Sequence, residues 1–267
     1  MSNSYCSTLI EPVISLAIDA AQQILKVYNT DFSVQQKEDR TPLTNADMAA
    51  HNTIVAGLSK LTPELPILSE ESANISAYEK RQSWERYWLV DPLDGTREFI
   101  KRNGEFTVNI ALIENNYPIL GVIQVPVSGV CYYAYQNEGA FKIQTDQQRQ
   151  AISVRPCPTG KKTIAGSRSH RDSSLDNFLA NIGEHEIISM GSSLKSCLVA
   201  EGAADIYPRL GPTSEWDTAA AQCIVEEAGG KLTDTELNRL KYNTKDSLLN
   251  PHFLVFGDPA VDWLKYF

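Results

Sequence analysis

Apolar residues recur at steps of three and four from Ile10 through Ile14, Ala17, Ala21 and Ile24 to Tyr28, which predicts one long amphipathic helix. Asp31 to Thr41 is polar and charged and reads as a mobile loop. Thr44-Asn45-Ala46-Asp47 then opens a second helix running to about Lys60. Pro63 and Pro66 break the chain before a short apolar run, Ile67-Leu68-Ser69, and Glu70-Glu71-Ser72 follows it. Tyr87 to Val90 is aromatic and β-branched, a short buried strand stopped by Pro92. Thr96 to Lys101 can start a helix, with Asp94 near its N-cap.

Beyond this point the period becomes that of strands. Phe106 to Glu114, Ile119 to Pro126, Gly129 to Gln136 and Ala140 to Gln144 predict an antiparallel meander, with turns at Asn115-Asn116 and Asn137-Glu138-Gly139. The polar stretch Thr145 to Gln150 is the candidate boundary between a domain of residues 1–147 and one of residues 148–267. After it, strands (Lys162 to Ala165, Glu186 to Met190, Ala204 to Tyr207, Phe253 to Phe256) alternate with helices (Ser173 to Asn181, Ser192 to Gly202, Glu215 to Ala228). The expectation is a layered α+β and α/β sandwich of alternating helix and sheet layers.

A chain of 267 residues can bury a large core, and its 42% hydrophobic and 21% charged content is that of a globular protein. The net charge of −9 argues against a partner read through its nucleic-acid backbone, yet an acidic protein binds a phosphorylated small molecule where cations invert the local potential. The five cysteines are scattered without metal-binding or redox spacing, as expected of buried thiols in a reducing cytosol. Met1 to Cys6 is polar without a basic segment, and no run approaches about 18 consecutive apolar residues, so neither a signal peptide nor an integral membrane segment is expected.

The chemistry concentrates at Trp88-Leu89-Val90-Asp91-Pro92-Leu93-Asp94-Gly95-Thr96. Asp91 and Asp94 would project from a strand end into the space faced by the Gly95 and Thr96 N–H groups. Carboxylates hold hard cations and N–H groups at a helix start hold phosphate oxygens, which together suggest metal-assisted phosphate chemistry. Each part has a plainer alternative. Asp-Pro-x-Asp-Gly is also a turn composition, Glu70 and Glu71 can be solvated loop acids, Asp217 can offset a helix dipole, and Thr44-x-x-Asp47 fits a capping box.

Taken in order, Thr41 to Asp47, Ser69 to Ser72, Trp88 to Phe99, and Trp216-Asp217-Thr218-Ala219-Ala220 through Glu227-Ala228-Gly229-Gly230 resemble the signature blocks of the inositol monophosphatase superfamily of metal-dependent, lithium-sensitive phosphatases. Three further stretches narrow the resemblance to its CysQ-type branch, the 3'(2'),5'-bisphosphate nucleotidases: Asp94 to Ala111, Gly191 to Gly202, and Tyr207 to Pro212. Thr96-Arg97-Glu98-Phe99 stands where inositol phosphatases usually carry Thr-Asn-Phe.

The resemblance implies the fold of the inositol monophosphatases and fructose bisphosphatases. It also implies removal of the 3'-phosphate of adenosine 3',5'-bisphosphate to leave AMP, with 3'-phosphoadenylyl sulfate as a second substrate. It assigns Glu70, Asp91, Asp94, Asp217 and the Leu93 carbonyl to two or three Mg²⁺ ions, a hard-oxygen donor set that suits this metal. Glu70 and Thr96 become the water-activating pair, with Asp47 orienting Thr96, while Gly95 gives the phosphate close access to the backbone. Ser192, Lys195, Arg209, Asp217 and His170, with Ser193 and Arg168 beside them, are candidates for the nucleotide and its second phosphate. A cytoplasmic protein is implied, with peripheral association at the cytoplasmic face of the inner membrane reported for this type; the oligomeric state is not encoded. The competing readings are an inositol or sugar phosphatase of the same fold, and a non-catalytic metal-dependent phospholigand sensor.

Overall fold

The N-terminal apolar stripe forms a single helix, α1 (Ser2–Tyr28), in the computed structural model, which describes residues 2–30, 34–36, 42–72, 75–167 and 173–267. By length and composition Ser4–Tyr28 could cross a membrane, but here Leu9, Val13, Ala17, Ala20 and Ile24 are buried in the protein core. A short strand, β1 (Val34–Gln36), lies within the stretch read as a loop and pairs antiparallel with β2 (Pro42–Thr44) just after it; the rest of that stretch lies outside the described residues. Next come α2 (Asn45–Leu61), β3 (Ile67–Ser69), α3 (Tyr78–Arg81), β4 (Arg86–Asp94) and α4 (Thr96–Ile100). The meander follows as β5 (Thr107–Glu114), β6 (Tyr117–Gln124), β7 (Cys131–Tyr135), β8 (Ala140–Ile143) and β9 (Arg149–Ile152).

These strands make one seven-stranded sheet in the order β3-β4-β5-β6-β7-β8-β9, antiparallel except where β3 runs parallel to β4. The sheet therefore continues through Ile152, beyond the boundary expected at residue 147. The polar stretch offered as the boundary is a hairpin turn inside this sheet, in which the Gln144 N–H donates to the Gln148 carbonyl at 2.9 Å and Gln147 stands at positive φ.

The second half comprises β10 (Lys162–Ser167), α5 (Ser173–Asn181), β11 (His185–Met190), α6 (Leu194–Ala200), β12 (Ile206–Arg209), α7 (Glu215–Glu227), β13 (Lys231–Asp234) and β14 (Phe253–Phe256). Its five strands lie in the order β11-β10-β12-β14-β13, the first three parallel and the last two antiparallel to their neighbours.

Alternation along the strands sets the layers. Trp88, Val90, Ile110 and Leu112 face a core shared with α1 and α2, whereas Tyr87, Leu89, Ala111 and Ile113 face one shared with α6 and α7. Tyr207, Phe253 and Val255 close that second core from the other sheet. Their neighbours Ile206, Leu254 and Phe256 turn outward to Phe178 and Trp263. The result is the alternating helix and sheet sandwich that the sequence implied. Helices α6 and α7, from the second half, form its central layer, which brings Asp217 and the 190–195 segment to the end of β4.

Candidate active site

β3 and β4 end side by side, and the Glu70 N–H donates to the Val90 carbonyl at 3.1 Å. Pro92 does not stop β4. The pairing with β5 shifts between Asp91 and Asp94, and a proline without an N–H fits such an irregularity. The shift leaves Asp91 Oδ1 accepting from the Leu93 N–H at 3.0 Å. Gly95, at φ 96° and ψ 43°, turns the chain into α4 as its N-cap residue, with Asp94 immediately before it, near the cap as expected but not at it. A side chain there would be strained, and its Cβ would lie 3.3 Å from the Glu105 carbonyl oxygen.

Asp94 is instead held from the second half of the chain. Its Oδ2 accepts from Ser192 Oγ, Ser193 N and Ser193 Oγ, each at 2.7 Å. This grip explains why α6 begins at Leu194 rather than at Ser192: Ser192 sits at φ 53°, outside helical geometry, with its neighbour committed to Asp94. Asp217, in the first turn of α7, accepts from the Ser214 N–H at 2.9 Å, so the expected helix-end role and the site coexist in one residue.

Asp91, Asp94 and Asp217 each place a carboxylate oxygen within 4.8 Å of the other two. Burial pushes the Asp91 carboxyl well above the usual range, and Glu70, Asp94, Asp217 and Asp47 push it further, in that order. All four carboxylates thus act on Asp91 in the same direction. Asp217 is likewise raised by burial and by Asp94, with the Ser214 N–H and Arg209 acting against the shift. Carboxylates packed this closely repel unless protonated or bridged by cations. A set of hard oxygens with no nitrogen or sulfur among them fits Mg²⁺. Asp47 is buried in the first turn of α2; the Thr44 side chain of the expected capping box lies outside the described side chains.

The carboxylates open on a cleft of about 210 Å³ lined by Gly95, Thr96, Ser192, Lys195, Arg209 and Asp217 among others. Lys195 is buried and donates to the main-chain carbonyls of Met190 (3.3 Å) and Ser192, bracing the turn that holds Asp94. Burial lowers its pKa to about 8, against the pull of Asp94. Arg209 donates to the Pro212 carbonyl at 3.0 Å, while its Nε is buried without a partner among the described residues, an orphaned donor beside the cleft. Arg168 and His170 lie outside the described residues.

Several supporting groups were not singled out from the sequence. Asn109, opposite Asp91 on β5, donates to Ser193 Oγ at 2.9 Å, and Thr107 contacts both Asn109 and Ser192. Glu105 accepts from the Gly191 N–H at 2.8 Å. Polar Thr107 and Asn109 inside the apolar run of β5 were the available signal; nothing local marked Glu105.

The model of the inositol monophosphatase family matches residues 6–255. The chain is similar to the 3'(2'),5'-bisphosphate nucleotidase CysQ of Salmonella typhimurium, 50% identical over 92% of this chain and 99% of that protein. The protein of the same name from Haemophilus influenzae is 39% identical over 97% of this chain and 96% of its own length. Among solved structures it is similar to CysQ from Bacteroides thetaiotaomicron, with a TM-score of 0.81, 39% identity, and coverage of 94% of this chain and 97% of that one.

Proposed function

The chain belongs to the inositol monophosphatase family, and on that footing we propose that it is a metal-dependent 3'(2'),5'-bisphosphate nucleotidase, hydrolysing the 3'-phosphate of adenosine 3',5'-bisphosphate to AMP and phosphate. The observation that carries this reading is a carboxylate cluster opening on a cleft whose wall holds two cations, Lys195 and Arg209. The cluster suits a cation-assisted phosphate cleavage, and the cations suit a second phosphate next to it. 3'-Phosphoadenylyl sulfate, with the same 3'-phosphate, fits as a second substrate, and the role proposed with it is the recycling of a sulfur-assimilation by-product in the cytoplasm.

In this reading Glu70, Asp91, Asp94, Asp217 and the Leu93 carbonyl hold two or three Mg²⁺ ions. When bound, they supply Lewis acidity and neutralise charge on the phosphoryl group. The Glu70 carboxylate takes the proton of the attacking water, and the Thr96 hydroxyl fixes that water in line with the scissile P–O bond. Asp47 orients the Thr96 hydroxyl. The Gly95 and Thr96 N–H groups bind the phosphate oxygens. Lys195, with two of its three N–H donors on main-chain carbonyls, and Arg209, which lines the cleft, receive the 5'-phosphate. Ser192, Asp217 and His170 position the nucleoside.

The test is phosphate release from adenosine 3',5'-bisphosphate with Mg²⁺, with and without Li⁺, beside inositol 1-phosphate. Mg²⁺-dependent, Li⁺-sensitive release that is faster on the nucleotide supports the reading. Faster turnover of inositol 1-phosphate overturns it, and no release from either substrate leaves the phospholigand sensor as the better account.

A further inference from the structure

Helix α2 meets the site at two points. Asp47, in its first turn, acts on the Asp91 carboxylate. His51 stands four residues further on, one turn along the same face. Its Nδ1 lies 2.9 Å from the Oγ of Ser69, the last residue of β3 and the one immediately before Glu70. Ser69 is completely buried, where a hydroxyl requires a partner, and His51 supplies it. The Glu70 backbone is fixed on the strand side by its N–H to Val90, and the turn is closed by the Ser72 N–H to the Ser69 carbonyl at 3.1 Å. Burial lowers the His51 pKa, although Glu71 opposes the shift, so the ring is neutral at neutral pH and either atom can be the donor.

We propose that His51 is a positioning residue for Glu70. Through Ser69 it ties the start of the Glu70 turn to α2, so that one helix sets both Asp47 and Glu70 relative to Asp91. This rests on the reading of Glu70 as a metal-holding, water-activating carboxylate. The consequence is specific. Loosening the tie weakens metal capture through Glu70 and leaves the nucleotide end of the cleft, built from α6 and β12, untouched.

The experiment uses the full chain with substitutions His51→Ala, His51→Asn, His51→Gln, Ser69→Ala and the double His51→Ala/Ser69→Ala. Mn²⁺ binding is read by electron paramagnetic resonance, Mg²⁺ half-saturation and nucleotide KM by phosphate release, and folding by melting of the metal-free protein. His51→Ala and Ser69→Ala are expected to weaken Mn²⁺ binding and raise Mg²⁺ half-saturation by about 10-fold. Nucleotide KM at saturating Mg²⁺ is expected to stay within about twofold. The double substitution should lose no more than either single one, because all three break the same bond.

An asparagine amide falls where Nδ1 stands, so His51→Asn retains binding. A glutamine amide reaches the Nε2 position instead, and His51→Gln fails. Unchanged Mn²⁺ binding in His51→Ala, equal losses in the asparagine and alanine variants, or multiplying losses in the double variant would each overturn the proposal. So would losses that merely track metal-free melting. A wild-type protein that binds Mn²⁺ but releases no phosphate refutes the functional reading alone, since the Mn²⁺ comparison still decides the His51 role.

Discussion

Asp217→Asn removes one of three carboxylates from a site where each approaches the others within 4.8 Å. At an effective dielectric constant of about 20, two unit charges that far apart repel by roughly 3.5 kcal/mol, and Asp217 takes part in two of the three pairs. Part of this repulsion is already relieved without metal, because Asp91 and Asp217 are pushed well above the usual carboxylate range and protonation competes with charge. The Ser214 N–H bond also weakens by about 1 kcal/mol when its acceptor becomes a neutral amide. The net expectation is a metal-free variant more stable than the wild type by about 2–3 kcal/mol, or about 5–10 °C in Tm. Calorimetry in EDTA reads this directly. With Mg²⁺ the order should reverse, since only the wild type retains the full ligand set and gains stability by mass action. The pH dependence has a fixed sign. A raised carboxyl pKa means that the folded state holds protons the unfolded chain has lost, so the metal-free wild type gains stability as pH falls from 7 toward the usual carboxylate range, and the variant loses part of that slope. An EDTA melting temperature equal to or below that of the wild type would refute the electrostatic account.

Three further perturbations probe the framework. Ser193→Ala removes a hydroxyl that bridges the Asp94 carboxylate and the Asp217 carbonyl, and Mg²⁺ half-saturation in a phosphate-release assay should rise by about 10-fold. Gly191→Ala would bring a Cβ to 2.6 Å from Glu98 Cγ and 2.7 Å from the Glu105 carbonyl oxygen, with about 1–3 kcal/mol of destabilisation expected in urea melts. Lys195, lowered from 10.5 to about 8, sheds its proton in the folded state before it does in the unfolded one, so stability rises with pH between those values. Lys195→Met lacks that rise, so the wild-type urea midpoint should gain on the variant's as pH goes from about 8 to about 10.5.

Much of the fold was legible because its signals are local. The α1 stripe, the alternation of β5 to β8 and the helix at Glu215 follow from apolar spacing that one face of one element can satisfy. Where tertiary context intervened, local signals misled. Pro92 looked like a strand end but sits in an irregularity of a strand paired on both sides, and the polar residues after Gln144, offered as a domain boundary, turn a hairpin. Asp94 stands near the start of α4 as its sequence suggested, but its carboxylate is gripped by Ser192 and Ser193, residues almost a hundred positions away.

The sequence by itself determined the chemistry on offer: the carboxylates at 70, 91, 94 and 217, the glycine that turns the chain at 95, and the family whose blocks they match. Residue type and short spacing suffice for that, because hard-oxygen donors and a positive-φ turn are properties of individual positions. Only the tertiary structure decided how those groups are held. The layering carries α6 and α7 from the second half against the first sheet, and this makes Ser193, Asn109 and Glu105 supports of the site. It also turns Lys195 toward the carbonyls of its own turn and sets His51 on Ser69. Apart from the Lys195 bonds within its own turn, these contacts join residues from different elements of the chain, and their distances are fixed by packing, which no local pattern encodes.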